Sequence, residues 1–301
     1  MGGMAMAAAL FSLSRDAAMP DGDAPRTPRA APKDGIGRFV DGVEFESRSM
    51  VSGGVRYGTG ALRLGVDALK DPLGSAQSAM AFAASTQRLL APATSPMSAT
   101  LRDRSLSLHF AVVERPLDDL KRAAKAAGGT VNDAFIAAVA AGLGDYHLAR
   151  GDDSTHEVRL NMPVNLRPKG DTSVGGNAWV PARFLVPIVP MDARTRIRRL
   201  SPLLLQARTE PALPISGFVM SRLTQLPRPL TAAVAGGMMK GTDVAATNVP
   251  GPPIPVYLSG AKVELMVPFA PKGGAAVNVA LMSYNGIAQL DQIFLLHTKD
   301  F

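Results

Sequence analysis

The 301-residue sequence predicts a mixed α/β fold, in which helices pack on a sheet of mixed strand direction. Three observations carry this expectation. Helical and alternating segments are interleaved between residues 105 and 207. Strand-like runs are then bunched at the carboxyl end. Hydrophobic residues make up 47% and charged residues 19%, a balance able to bury a core.

The elements follow in order. Residues 4–14 are rich in Ala, Met and Leu and read as a helix. Residues 15–37 hold Pro20, Pro25, Pro28 and Pro32 and few large apolar groups, so they read as a disordered linker. Residues 38–100 form a helical connecting segment, with helices at 65–70 and 75–90 broken by Pro72 and Gly74, and a loop at 91–100. A compact domain then spans 101–301.

Within that domain, residues 105–113 alternate and are β-branched toward their end, which predicts a strand. Residues 117–127 predict a helix, with Asp118 and Asp119 in its first turn and Gly128-Gly129 as its stop. Residues 131–149 predict a second helix, with Phe135, Val139, Leu143 and Tyr146 at three- and four-residue spacing. Strands follow at 157–164 and 178–189, then helices at 192–207 and 215–226. The last strands fall at 243–249, 256–268, 276–284 and 287–296, with Asn285-Gly286 as a hairpin turn between the final two.

Composition excludes several classes. There is no cysteine, so disulfides, thiolate nucleophiles and Cys-ligated zinc are ruled out. The charge of +7 suits an anionic partner, but no dense Lys/Arg block points to nucleic acid. Arg194, Arg196, Arg198 and Arg199, with Arg183 upstream and Arg208 downstream, read as a solvated helix surface. Attraction of a phosphorylated ligand or anionic lipid is the other reading of that cluster. The longest uncharged stretches, such as 273–290, alternate and contain Asn, Ser, Gln and Gly, whereas a bilayer span needs ~20 mostly apolar residues. The apolar start has no Lys or Arg before it and makes a poor signal peptide. A cytoplasmic protein, at most peripheral to a membrane, is expected.

Three segments draw attention. In Gly128-Gly-Thr-Val-Asn-Asp133, Thr130 can cap the helix with Asp133 at its third position, which explains both residues but leaves Asn132 over. In Asn248-Val-Pro-Gly-Pro-Pro253 the prolines deny backbone donors and Gly251 permits a tight bend. This is a rigid structural turn at Pro250 and Gly251, or a stiff support that holds Thr247 and Asn248 toward a cleft. Asn161-Met-Pro-Val-Asn-Leu-Arg167 closes a strand with Asn165 and Arg167 at its end. His109, His147, His156 and His297 are isolated, so none is assigned as catalytic, and no metal-ligand spacing stands out.

Together these segments resemble a known family. Gly129 to Leu143 resembles its Asn-Asp motif helix, and Met162-Pro-Val-Asn-Leu-Arg167 resembles one of its strand ends. Thr247-Asn-Val-Pro-Gly-Pro252 resembles its Ser-Asn-Val-Pro-Gly-Pro turn, and Asn278-Val-Ala-Leu-Met-Ser-Tyr-Asn-Gly286 its closing hairpin. The family is the bacterial wax ester synthase/acyl-CoA:diacylglycerol acyltransferases. The resemblance implies one lobe of the chloramphenicol acetyltransferase-like fold of CoA-dependent acyltransferases. It implies transfer of an acyl group from acyl-CoA, the co-substrate, to diacylglycerol or a fatty alcohol, with no bound cofactor or metal and with possible peripheral association with membranes or lipid droplets. Asn132, Asp133, Thr247 and Asn248 are the active-site supporting residues it implies here.

The sequence departs from the family where catalysis is concerned. It holds no His-His-x-x-x-Asp-Gly, the motif whose second His acts as general base. Thr247 stands where Ser is common, and both offer a hydroxyl. Residues 1–11 resemble the helix that follows that motif, so 1–14 read as a remnant of the first lobe. The chain is therefore expected to start just after the motif and to be inactive as written. A non-catalytic lipid- or partner-binding protein on half of the fold is the alternative. A peptide-synthesis condensation domain would also need a histidine motif and fits the Thr247 turn less well.

Overall fold

A computed structural model describes residues 34, 36, 72–90, 95–165, 179–213, 229, 241–258, 260–269 and 274–296. The chain divides into two compact units, residues 20–85 and residues 1–19 with 86–301. In the smaller unit the described residues are few and belong mainly to the first part of α1 (Pro72–Leu90), whose residues 86–90 fall in the larger unit. The helix begins at Pro72 and runs through Gly74, the two residues expected to separate it from a helix at 65–70. Proline suits a first helical turn, where its missing N–H has no partner to lose.

The larger unit is built on a six-stranded sheet. Its strands are β1 (Arg104–Pro116), β2 (Glu157–Asn165), β3 (Trp179–Pro187), β4 (Val244–Pro250), β7 (Val277–Tyr284) and β8 (Ile287–Leu296), in the spatial order β1-β8-β7-β4-β2-β3. The central strands β2, β4 and β7 run parallel, and the pairs at either side are antiparallel. The sheet is therefore mixed, as expected. Asn285 and Gly286 have φ of 46° and 80°, the left-handed pair that an Asn-Gly turn supplies to a tight hairpin.

Three helices accompany the sheet. α2 (Leu117–Ala127) ends on Gly128 at φ 75°, where the Gly128 N–H donates to the Lys125 carbonyl. α3 (Val131–Ala149) starts on the capping box read from the sequence. The Asp133 N–H donates to Thr130 Oγ1 at 3.3 Å, and the Thr130 N–H to Asp133 Oδ2 at 2.7 Å. α4 (Ala193–Thr209) is capped by Asp192, whose Oδ1 accepts from the Thr195 N–H. α3 and α4 pack against each other, and α4 reaches β3. The core lies between α3, α4 and one face of the sheet. Ile136, Leu160, Leu200 and Leu204 are fully buried there. Each such side chain contributes about 1.5–3 kcal/mol of apolar burial.

Two expectations are corrected. Residues 256–268 form no long strand. They hold only the two-residue strands β5 (Tyr257–Leu258) and β6 (Ala261–Lys262), paired with each other, and an irregular arm beyond. Side chains replace the missing ladder. The Tyr284 hydroxyl accepts from the Val256 N–H and donates to the Val263 carbonyl, and Gln289 Oε1 accepts from the Met266 N–H. The second correction is Arg196. Arg194, Arg198 and Arg199 are solvated, but Arg196 is 4% exposed and donates to the carbonyls of Pro187 and Val189. Burial draws its pKa below the ordinary arginine value, against the opposing pull of Asp145. The expected helices at 4–14, 65–70 and 215–226, and Arg167, lie outside the described residues.

Among the described residues no single helix is long and apolar enough to cross a membrane. α2 and α3 reach that composition only as a pair bent by 94°.

Candidate active site

The carboxyl ends of the parallel strands β2, β4 and β7 point the same way. In open sheets of this kind ligands settle in the crevice outside those ends. Only two rungs join β2 to β4, Leu160 with Val244 and Asn161 with Ala245. Beyond them β4 keeps its ladder with β7 through Pro250, while β2 keeps its ladder with β3. The ladder across the middle of the sheet thus ends where the cleft is expected to begin.

The amino terminus of α3 stands over this place. Asn132 is half-buried, and its Nδ2 donates to Met162 Sδ on β2 at 3.5 Å. A thioether is a weak acceptor. Asp133 is 1% exposed, and its Oδ2 also accepts from the Ser201 hydroxyl of α4 at 3.1 Å. This carboxylate ties two helices and caps one of them. Asn132, left over by the capping box, is free of that duty.

Thr247 and Asn248 sit on β4, half-buried and exposed respectively. Successive strand residues point to opposite faces. Ladder register puts Asn248 with Leu281 on the face of Leu160 and Met162, where α3 lies. Thr247 pairs with Ala280 and lies on the other face, with Asn161 and Asn278. Of the residues singled out in the sequence, Asn132, Asp133 and Asn248 thus share one face and Thr247 does not.

The turn after β4 is held rigidly. The Gly251 N–H donates to the Ser283 carbonyl at 2.9 Å, and the Asn285 N–H to the Pro252 carbonyl at 3.0 Å. A Cβ on Gly251 would lie 2.3 Å from Ser283 O, so only glycine fits beside β7. Pro250 closes the ladder against Ser283.

Sequence reasoning missed the knot at the opposite, amino end of these strands. Asp243 is fully buried, and its carboxylate accepts from the N–H groups of Met97, Ser98 and Arg159. The Arg104 guanidinium donates to the carbonyls of Leu101, Thr242 and Gly274, and that of Arg159 to Ser95 and Gly241. Burial lowers the Arg104 pKa, and the charge of Asp243 opposes that shift. Nearby, His147 is 1% exposed, with Nδ1 at 2.7 Å from the Leu143 carbonyl and Nε2 at 2.7 Å from Ser98 Oγ. A carbonyl can only accept, so Nδ1 carries a proton, and Nε2 is hydrogen-bonded to the Ser98 hydroxyl. Both ring nitrogens are therefore committed inside the core. His156 is exposed in the loop before β2, His109 is half-buried within β1, and His297 lies outside the described residues. Among the described residues no group of three or more His, Cys, Asp or Glu side chains could hold a metal ion.

Among solved structures, the wax ester synthase/diacylglycerol acyltransferase from Marinobacter aquaeolei VT8 shares this fold at a TM-score of 0.50 and 21% identity, over 74% of this chain and 51% of that one. The family profile described as the wax ester synthase/diacylglycerol acyltransferase catalytic domain matches residues 1–135, and that of the WS/DGAT C-terminal domain matches residues 176–293. The chain belongs to the wax ester synthase/diacylglycerol acyltransferase family. A Mycobacterium tuberculosis protein named as a diacylglycerol O-acyltransferase is 32% identical over 289 residues, which are 95% of this chain and 57% of that protein. Another from that organism, Tgs1, is 25% identical over 80% of this chain and 52% of its own length. The chain thus spans little more than half the length of these relatives.

Proposed function

We propose that the chain serves O-acyl transfer from acyl-CoA to the hydroxyl of diacylglycerol or a fatty alcohol, yielding triacylglycerol or wax ester and free CoA. The observation that carries this is the 32% identity, over 289 residues, to a protein named as a diacylglycerol O-acyltransferase. The geometry supports it. Asn132 and Asn248 stand on one face at the carboxyl ends of the parallel strands, on a rigid helix start and a rigid turn. Amide donors held in that way suit a developing thioester oxyanion.

The attacking hydroxyl needs a base, typically worth ~10²–10⁴-fold in rate. The 301 residues contain no adjacent histidines, and both nitrogens of His147 are engaged in the core. On this reading the chain supplies supporting residues, and the base comes from a His-His-x-x-x-Asp-Gly motif that the 301 residues do not contain. Purified alone and given acyl-CoA with diacylglycerol or fatty alcohol, it is expected to form no ester above background. Robust ester formation would show that one of its four histidines is the base. The absence of a histidine pair also favours a second reading, a non-catalytic lipid- or partner-binding protein. The two separate when a lobe carrying His-His-x-x-x-Asp-Gly is supplied: turnover restored by it supports the transferase, and none supports the binding protein. Peripheral association with membranes or lipid droplets belongs to the same proposal, and co-sedimentation with diacylglycerol-containing vesicles tests it.

A further inference from the structure

One row of the sheet holds two buried amide atoms that nothing pairs. Asn161 on β2 and Asn278 on β7 flank Ala245 on β4 in ladder register, so all three share the face of Thr247. Asn278 is 3% exposed, and its Nδ2 has no hydrogen-bond partner. Asn161 is half-buried, and its Oδ1, itself buried, has none either. Buried side-chain polar atoms are paired in the large majority of cases, and leaving one unpaired works against folding. Two in one row, on central strands, call for an explanation outside the fold itself.

The spacing narrows the explanation. Neighbouring strands lie ~4.8 Å apart, so the two Asn backbones are about 10 Å from each other. Ala245 on β4 is the residue of the row that lies between them. One wall offers a free acceptor and the other a free donor. Exchanging O and N in either side chain still leaves a hydrogen-bonding group on each side. A trans secondary amide carries its N–H and C=O on opposite edges, and with a hydrogen bond of ~2.9 Å at each end it spans about 8 Å. That length matches the strand spacing, in the orientation of a peptide group. The row also contains the last rung joining β2 to β4, and Asn161 is half-buried there.

We propose that Asn161 and Asn278 form a subsite for a secondary amide of the acyl donor, whose pantetheine arm carries two such groups. This rests on the acyl-transfer reading, in which acyl-CoA is the donor. Asn278 acts there in binding, and its folding cost is offset only when the arm is in place.

The test is calorimetric titration of the 301-residue chain with an unreactive S-alkyl thioether of CoA, with pantetheine, and with adenosine 3′,5′-bisphosphate, which lacks the arm. Asn278→Leu, of nearly the same shape, is expected to weaken the thioether and pantetheine about tenfold, the worth of one hydrogen bond. It is expected to leave the bisphosphate unchanged and to keep or raise the unfolding midpoint. Asn161→Ala, at the half-buried position, is expected to give the same binding pattern and guards against a folding failure of the first variant. A wild-type chain that binds the thioether, with variants that bind it equally well, overturns the subsite and leaves the acyl-transfer reading standing. A wild-type chain that binds no thioether overturns both. Loss of stability in Asn278→Leu with unchanged pantetheine binding shows a structural amide bridged by water, and also overturns the subsite.

Discussion

Two glycines on one helix are expected to respond to the same substitution with opposite signs. Gly142 and Gly144 both lie inside α3. Alanine at an exposed helix interior is favoured over glycine by about 1 kcal/mol. Gly142 is exposed, and an added Cβ meets nothing within 4 Å, so Gly142→Ala keeps the whole gain. At Gly144 the added Cβ would lie 2.1 Å from the Ile188 carbonyl oxygen, more than 1 Å inside ordinary contact. The obstacle is backbone, and it is pinned. The Ile188 N–H donates to the His156 carbonyl at 2.9 Å, and Arg196 holds the carbonyls of Pro187 and Val189 on either side. Relief must come from lifting α3, at the upper end of the ~1–3 kcal/mol cost of overpacking. The net effect of Gly144→Ala is a loss of about 2 kcal/mol. Urea denaturation followed by circular dichroism should separate the two variants by about 3 kcal/mol, with the wild type between them. If Gly144→Ala proves as stable as Gly142→Ala, the close approach of α3 to the end of β3 is wrong.

The other expectations concern the site and its supports. Asp133→Ala orphans the Thr130 N–H and the Ser201 hydroxyl, so a loss of about 2 kcal/mol is expected. Asp133→Asn keeps an acceptor oxygen in place and should lose under half of that in the same denaturation assay. Gly251→Ala forces the turn away from Ser283 and should cost about 1–3 kcal/mol, readable as a lower urea midpoint. The Thr100 hydroxyl, followed by those of Thr155 and Ser154, holds the Asp152 carboxyl well below the usual carboxylate range. A group depressed in the folded state adds stability above its unfolded pKa of ~3.9 and loses it as pH falls below that. Thermal melts of Asp152→Asn should therefore differ from wild type at pH 6 and converge toward it below about pH 4.

Much of this was legible because it is local. The capping box of Thr130 and Asp133 lies within four residues, the Gly128-Gly129 stop is contiguous, and the Asn285-Gly286 hairpin joins adjacent strands. What was not legible depends on partners distant in the chain. Arg196 looked like one solvated arginine of four because helical spacing alone carries no record of the carbonyls at the end of β3. Residues 256–268 alternate as a strand should, yet their backbone groups are met by Tyr284 and Gln289 from the hairpin beyond, so little ladder forms. Asp243 reads as an ordinary first residue of a strand. Its ligands at Met97 and Ser98 are 146 and 145 residues away, and no local pattern points to them. Thr247 and Asn248 look like one functional pair in the sequence. Alternation sends them to opposite faces only once β4 is known to continue through Pro250.

That division of the pair bears on how the site is built. The amino ends of the parallel strands are tied by one buried carboxylate and two guanidiniums, which together engage backbone groups from Ser95 to Gly274. With that end fixed, the two-rung ladder between β2 and β4 can stop without loosening the sheet, because each strand keeps a full partner on its outer side. The unpaired carboxyl ends can then present polar groups on both faces at once. At those ends Asn132 and Asn248 stand on one face and Thr247 on the other; Asn161 and Asn278 lie on the face of Thr247 but nearer the amino end, Asn278 being the second residue of β7. On the proposed acyl transfer, an acyl thioester would have its reacting carbon near the first set and its arm along the second, toward the amino end of β7. Asn248→Ala and Asn278→Leu should then affect different quantities in an enzyme with its base in place. The first should lower kcat, because a donor to the oxyanion acts only in the transition state. The second should raise KM for acyl-CoA with kcat little changed, because an amide contact to the arm is made equally in ground and transition states. Equal changes in both parameters for both variants would mean that the two faces do not share one substrate.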